Sequence, residues 1–151
     1  MALFSNYTRQ IARLDNFTVS TIIEDQDGDG LPDWWELQFF GSRTAANPGE
    51  DLPDEDGLTN LEEFLVGSDP TLDDTDGDGL DDIVETATGI WVDASDTGTD
   101  PSNPDTDEDG LQDGVETNTG VFVSASDTGT SPLTNDTDSD GLIDGIESNS
   151  G

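Results

Sequence analysis

Asp105, Asp107, Asp109, Asp113 and Glu116 stand at positions 1, 3, 5, 9 and 12 of a twelve-residue stretch, with Gly110 at position 6. That is the spacing with which a tight loop wraps an oxygen-ligated divalent cation, calcium above all. Alternate side chains point inward at one ion, the glycine permits a sharp turn, and the last glutamate closes the shell with both oxygens. Leu111 at position 7 can offer only its main-chain carbonyl.

The same template recurs at Asp25, Asp27, Asp29, Leu31, Asp33 and Glu36, at Asp74, Asp76, Asp78, Leu80, Asp82 and Glu85, and at Asp136, Asp138, Asp140, Leu142, Asp144 and Glu147. A further copy, second in chain order, holds Asp54, Asp56, Leu58, Asn60 and Glu63, but Leu52 occupies its first position. Asp51 must then reach in from one residue earlier, and that site is expected to be weaker or irregular. One such match would be a modest signal, because solvated Asp-Gly turns are common. Five in 151 residues point to about five calcium ions, at least four of them in the complete loops.

A net charge of −34 with 30% hydrophobic residues would by itself suggest a chain unable to bury enough apolar surface to fold. The charge is placed, however. Four loops with five carboxylates each, plus Asp51, Asp54, Asp56 and Glu63, account for 24 of the 37 acidic residues. Five divalent ions would bring the formal charge from −34 to about −24 and bridge carboxylates that otherwise repel. Folding and metal binding should therefore be one event. There is no cysteine to staple the chain, so calcium must do so, and the millimolar calcium outside cells suits such loops.

The elements that must position these loops differ along the chain. Residues 1 to 24 carry Arg9 and Arg13, and the β-prone Phe17, Val19, Ile22 and Ile23 predict a strand there, read either as an assembly element or as the remnant of an upstream domain. Residues 25 to 73 form a two-loop unit: Asp33 to Gly41 and Leu61 to Gly67 each read as a short helix ended by glycine. Trp34 and Trp35 could present a carbohydrate platform, but packing beneath the first two loops is the favoured reading. From Asp74 to residue 151 the chain is a tandem array of period 31, its last repeat truncated; residues 74–104 and 105–135 agree at 20 of 31 positions. Each unit reads as loop, helical turn, glycine, strand and polar turn, with strands at Ile90-Trp91-Val92 and Val121-Phe122-Val123.

These are not EF-hands, since Pro104 and Pro132 lie where an entering helix would run. The runs from Gly67 to Leu80 and from Thr99 to Leu111, with Ser68-Asp69-Pro70 and Asp100-Pro101-Ser102-Asn103-Pro104 leading into Asp-Thr-Asp triplets, resemble the bacterial form of the thrombospondin type 3 repeat over about residues 25 to 151. The resemblance implies an irregular calcium-stabilised tandem-repeat rod, mostly loops with short helical turns and short β-strands. It also implies that the Asp and Glu positions named above are calcium ligands, and a secreted or cell-surface location. Leu52 and Asn60 depart from the pattern.

Catalysis is not expected, because a chain without histidine, cysteine or lysine lacks the usual nucleophile and base pairs. Three arginines cannot neutralise a nucleic-acid backbone. No segment has the apolar length of a membrane span, and Met1 to Asn16 has no apolar run like that of a secretion signal. The expected function is a non-enzymatic extracellular structural protein, a subunit of a head-to-tail filament in which residues 17 to 23 of one copy complete the truncated last repeat of the next. The alternatives are a calcium-stiffened stalk or linker of a larger surface protein, or an adhesion module. Asn6, Asn16 and Asn135 fit the acceptor pattern for N-linked glycans.

Overall fold

The structure, a computed structural model, describes residues 24–51 and 53–147. The segment predicted as an N-terminal strand, the candidate glycan acceptors Asn6 and Asn16, and the end of the last repeat lie outside the described residues.

Two α-helices follow the first two loops: α1, Asp33–Phe39, and α2, Asn60–Val66. Each starts at position 9 of its loop. One helical turn therefore brings position 12 onto the same face as position 9, and Asp33, Glu36, Asn60 and Glu63 are all buried. Thr59 and Glu62 form a reciprocal capping box at the start of α2. The helix ends where Gly67 turns left-handed (φ 96°) and donates its N–H to the Glu63 carbonyl oxygen at 2.7 Å.

In the later repeats the same positions form only single 3-10 turns, Asp82–Val84, Asp113–Val115 and Asp144–Ile146. A 3-10 turn eclipses residues i and i+3, so it still aligns positions 9 and 12. It does not extend into a helix because β-branched and glycine residues follow, as in Thr86-Ala87-Thr88-Gly89, where α1 continues with Leu37-Gln38-Phe39-Phe40.

The apolar core is confined to the two-loop unit. Leu31, Trp35 and Ala46 are buried, with Phe39, Phe40, Leu61 and Phe64 packed against them. Trp35 sits at the centre, its ring 5.2 Å from Phe39, 5.6 Å from Phe40 and 5.9 Å from Phe64. This is the packing role expected for Trp35; Trp34 points outward, 55% exposed, with its edge toward Phe64. Beyond residue 73 the buried side chains are, apart from Pro101 and Pro132, acids and threonines, among them Asp82, Glu85, Thr97, Thr99, Asp113, Glu116, Thr128 and Thr130.

The strands predicted at Ile90–Val92 and Val121–Val123 do not form. Each unit closes instead as an irregular hairpin with one isolated bridge, Asp93 to Asp96 and Ser124 to Asp127. Its hydrogen bonds are scattered: Ala87 N–H to Thr99 O, Gly89 N–H to Gly98 O and Val92 N–H to Asp96 O, with the same set 31 residues later at Asn118, Gly120 and Val123. The ladder is interrupted because Ala87, Gly89 and Gly98 adopt positive φ, and Ile90, Val92, Val121 and Val123 are left exposed. The fold is thus mostly loop, with two short helices and, among the described residues, no regular strand.

Candidate metal centre

Within each loop main-chain N–H groups hold some of the carboxylate oxygens in place, while others are left without a donor. The first aspartate accepts the N–H of the position-6 glycine: Asp25 from Gly30 at 3.1 Å, Asp74 from Gly79 at 3.1 Å, Asp105 from Gly110 at 3.0 Å and Asp136 from Gly141 at 3.0 Å. Asp51 does the same for Gly57 at 3.0 Å, so in the irregular loop it takes the place expected of it. The position-5 aspartates accept the N–H of the leucine at position 7: Asp29 from Leu31, Asp56 from Leu58, Asp78 from Leu80, Asp109 from Leu111 and Asp140 from Leu142, at 2.7–2.9 Å. The position-3 aspartates Asp76, Asp107 and Asp138 each accept from the N–H two residues on. Position 4 also takes a left-handed conformation, which Glu55, Glu108 and Ser139 adopt without being glycine.

The oxygens left over have no protein donor. Buried and without a hydrogen-bond partner are Glu36 Oε2, Asp51 Oδ1, both oxygens of Asp54, Asp56 Oδ2, both oxygens of Glu63, Asp76 Oδ2, Glu85 Oε2, Asp107 Oδ2, Glu116 Oε2, Asp136 Oδ1, Glu147 Oε2 and Asn60 Oδ1. All of these atoms belong to loop positions; Ser68 Oγ, just after α2, is also buried and without a partner. Leaving so many acceptors dry would be costly without a cation to satisfy them. Ligand oxygens converge within 4.8 Å in single-loop groups that include Asp25, Asp27 and Asp29; Asp51, Asp54 and Asp56; Asp74, Asp76 and Asp78; and Asp105, Asp107 and Asp109.

The electrostatics agree with that crowding. Burial, reinforced by Asp54, Asp56, Asp51 and Asp82, pushes Glu63 up to about 8. Burial also pushes Glu85 and Glu116 up to about 8, against the opposing hydrogen bonds of Thr99 and Thr130. Asp76 and Asp107 are pushed up to about 6 by burial and by the neighbouring aspartates of their own loops. All the donors are hard oxygens, many of them charged, a set that suits calcium and offers zinc no nitrogen or sulfur.

Threonines that the spacing argument passed over hold this shell in place. The position-2 hydroxyls of Thr75, Thr106 and Thr137 donate to Asp82, Asp113 and Asp144 at 2.6–2.7 Å. Thr99 and Thr130 donate to Glu85 Oε1 and Glu116 Oε1 at 2.8 and 2.9 Å, and are themselves bonded to Thr97 and Thr128. Their signal was present in the recurring Asp-Thr-Asp and Thr-Gly-Thr triplets, which repeat with the loops. In the first loop, where Gln26 replaces the position-2 threonine, Arg43 Nη1 pairs with Asp33 Oδ2 at 3.3 Å.

The family model described as the bacterial TSP3 repeat matches residues 53–72 and 105–120. Two segments of the chain are thus similar to the bacterial TSP3 repeat. The two matched segments contain the irregular second loop, with Asp54, Asp56, Asn60 and Glu63, and the complete fourth loop from Asp105 to Glu116. No curated protein and no solved structure matches the chain. TSP3 repeats are structural calcium-binding repeats, and the acidic groups of this chain could hold metal ions. Among the described residues no helix is long and apolar enough to cross a membrane.

Proposed function

We propose that this chain is a non-enzymatic, extracellular structural protein whose five loops, from Asp25 to Glu147, are each closed around a calcium ion. The observation that carries the reading is the set of buried, unpartnered carboxylate oxygens, all on loop positions. Where an ordinary domain has an apolar interior, residues 74–147 have buried acids and threonines. Calcium is then the cohesive element. The finer proposal is that copies join head to tail into a filament, favoured by the exposed Ile90, Val92, Val121 and Val123, which leave an apolar row on successive repeats. The alternative is a calcium-stiffened stalk of a larger surface protein.

Calorimetric titration with calcium should find at least four ions bound, and circular dichroism in EDTA should show the fold lost. An unchanged melting transition in EDTA would refute the calcium reading. Electron microscopy of the purified chain with and without EDTA separates the finer alternatives: filaments that dissolve in EDTA support assembly, and single particles at all calcium concentrations support the stalk.

A further inference from the structure

The spacing of each loop assigns its position-9 residue to that loop's own ion, but the structure takes it elsewhere. Asp113, position 9 of the fourth loop, brings a carboxylate oxygen within 4.8 Å of Asp78 and Glu85 of the third, and all three residues are buried. Glu85 is 1% exposed, and its Oε2 has no partner. We infer that each ion is clamped by two consecutive repeats, with the position-9 side chain of the following loop completing the shell of the preceding one.

Asp113 is built for both tasks. Its two oxygens each accept one bond from Thr106, from the N–H at 2.9 Å and from the hydroxyl at 2.6 Å, and a carboxylate oxygen so engaged keeps a second lone pair for a metal. The boundary is drawn tight beside it, since the Gly114 N–H donates to Asp78 Oδ2 at 3.0 Å. The next boundary repeats the close approach: the Gly145 N–H donates to Asp109 Oδ2 at 2.9 Å. At the boundary before, Ile83 of the third loop's turn rests over Gly57 of the second loop. In this register Asn60 serves the first loop, which accounts for a side chain 1% exposed whose Oδ1 finds no donor. An array held in this way transmits order from repeat to repeat through the ions themselves.

This inference rests on the calcium reading and is tested apart from it, by ion counting on the full chain with calcium as the probe. Glu85→Gln should remove the third-loop ion and Glu116→Gln the fourth. Asp113→Asn should weaken the third-loop ion by about ten- to a hundredfold. Combined with Glu85→Gln, Asp113→Asn should cost no further ion, whereas combined with Glu116→Gln the fourth-loop ion should be lost and the third-loop ion weakened as well. The reverse pattern, or no loss on Asp113→Asn, overturns the inference while leaving calcium binding intact. Thr130→Val, which takes away the brace on Glu116 of the fourth loop but touches neither Asp113 nor a third-loop ligand, should spare the third-loop ion. If it does not, the effect of Asp113→Asn is collapse of the fourth loop and the inference fails. A wild-type chain that binds no calcium would instead defeat the proposed function.

Discussion

Gly114 donates its main-chain N–H to Asp78 Oδ2 at 3.0 Å across 36 residues of chain, joining the helical turn of one repeat to the loop of the one before. A Cβ at residue 114 would collide with the Asp78 carbonyl oxygen, so glycine is required there by close approach, not by φ. Gly145 repeats the relationship with Asp109. At the earlier boundary Ile83 takes the corresponding place and its side chain rests over Gly57.

Gly114→Ala should therefore force the third and fourth loops apart. The expected cost is about 1–3 kcal/mol of calcium-loaded stability, the range for overpacking a close contact. Thermal melts of the two proteins in saturating calcium check it; an unchanged midpoint would show that the boundary yields as easily as the one at Ile83.

Removing a hydroxyl that orients a ligand should act on the ion without touching the ligand. Thr130→Val deletes the donor that holds Glu116 Oε1 and leaves the Thr128 hydroxyl bonded to the Val115 carbonyl oxygen alone. The fourth-loop ion should bind about tenfold more weakly, the lower range for outer-shell partners of a metal site. Calcium titration by calorimetry reads this directly, and Thr119→Val, whose hydroxyl is exposed and bonded only within its own turn, is the control.

Two neighbouring glutamates of α2 should behave differently. Glu63 is buried with both oxygens unpartnered, whereas Glu62 is exposed and accepts from the Thr59 N–H and hydroxyl in the capping box. Glu63→Gln should remove the second-loop ion from the titration. Glu62→Gln keeps an acceptor for the cap and should leave the number of ions unchanged.

Calcium binding near neutral pH should release protons. Burial first, and neighbouring carboxylates after it, hold Glu63, Glu85 and Glu116 at about 8 in the calcium-free fold, well above the ordinary glutamate value of about 4.3. The folded, calcium-free chain thus binds more protons than the unfolded one, so its stability falls as pH rises from the ordinary carboxylate range through about 8. Loaded calcium reverses the slope, because protons then compete with the ion. Titrations at pH 7 in buffers of different ionisation enthalpy should show net proton release, and melts in EDTA should show more residual structure at pH 5 than at pH 8. Equal heats in all buffers would contradict the raised values.

That the chain would be mostly irregular followed from its resemblance to the bacterial thrombospondin type 3 repeat; the sequence by itself determined where the loops are and which oxygens they offer. These features depend on local spacing: aspartates at alternate positions of a tight turn, a glycine able to adopt positive φ at Gly110, and a glutamate one helical turn after Asp113. The helices were legible for the same reason, since Gly41 and Gly67 terminate short runs of good helix formers. The strands at Ile90 and Val121 were misread because β-prone residues specify an extended backbone but not a partner, and each hairpin breaks its own ladder at positive-φ residues. What only the tertiary structure decided lies between repeats. The meeting of Asp113 with Asp78 and Glu85, the close approach at Gly114 and the turning of Trp35 inward and Trp34 outward depend on how one unit is laid against the next. That placement joins residues tens of positions apart, which no spacing within a single loop can encode.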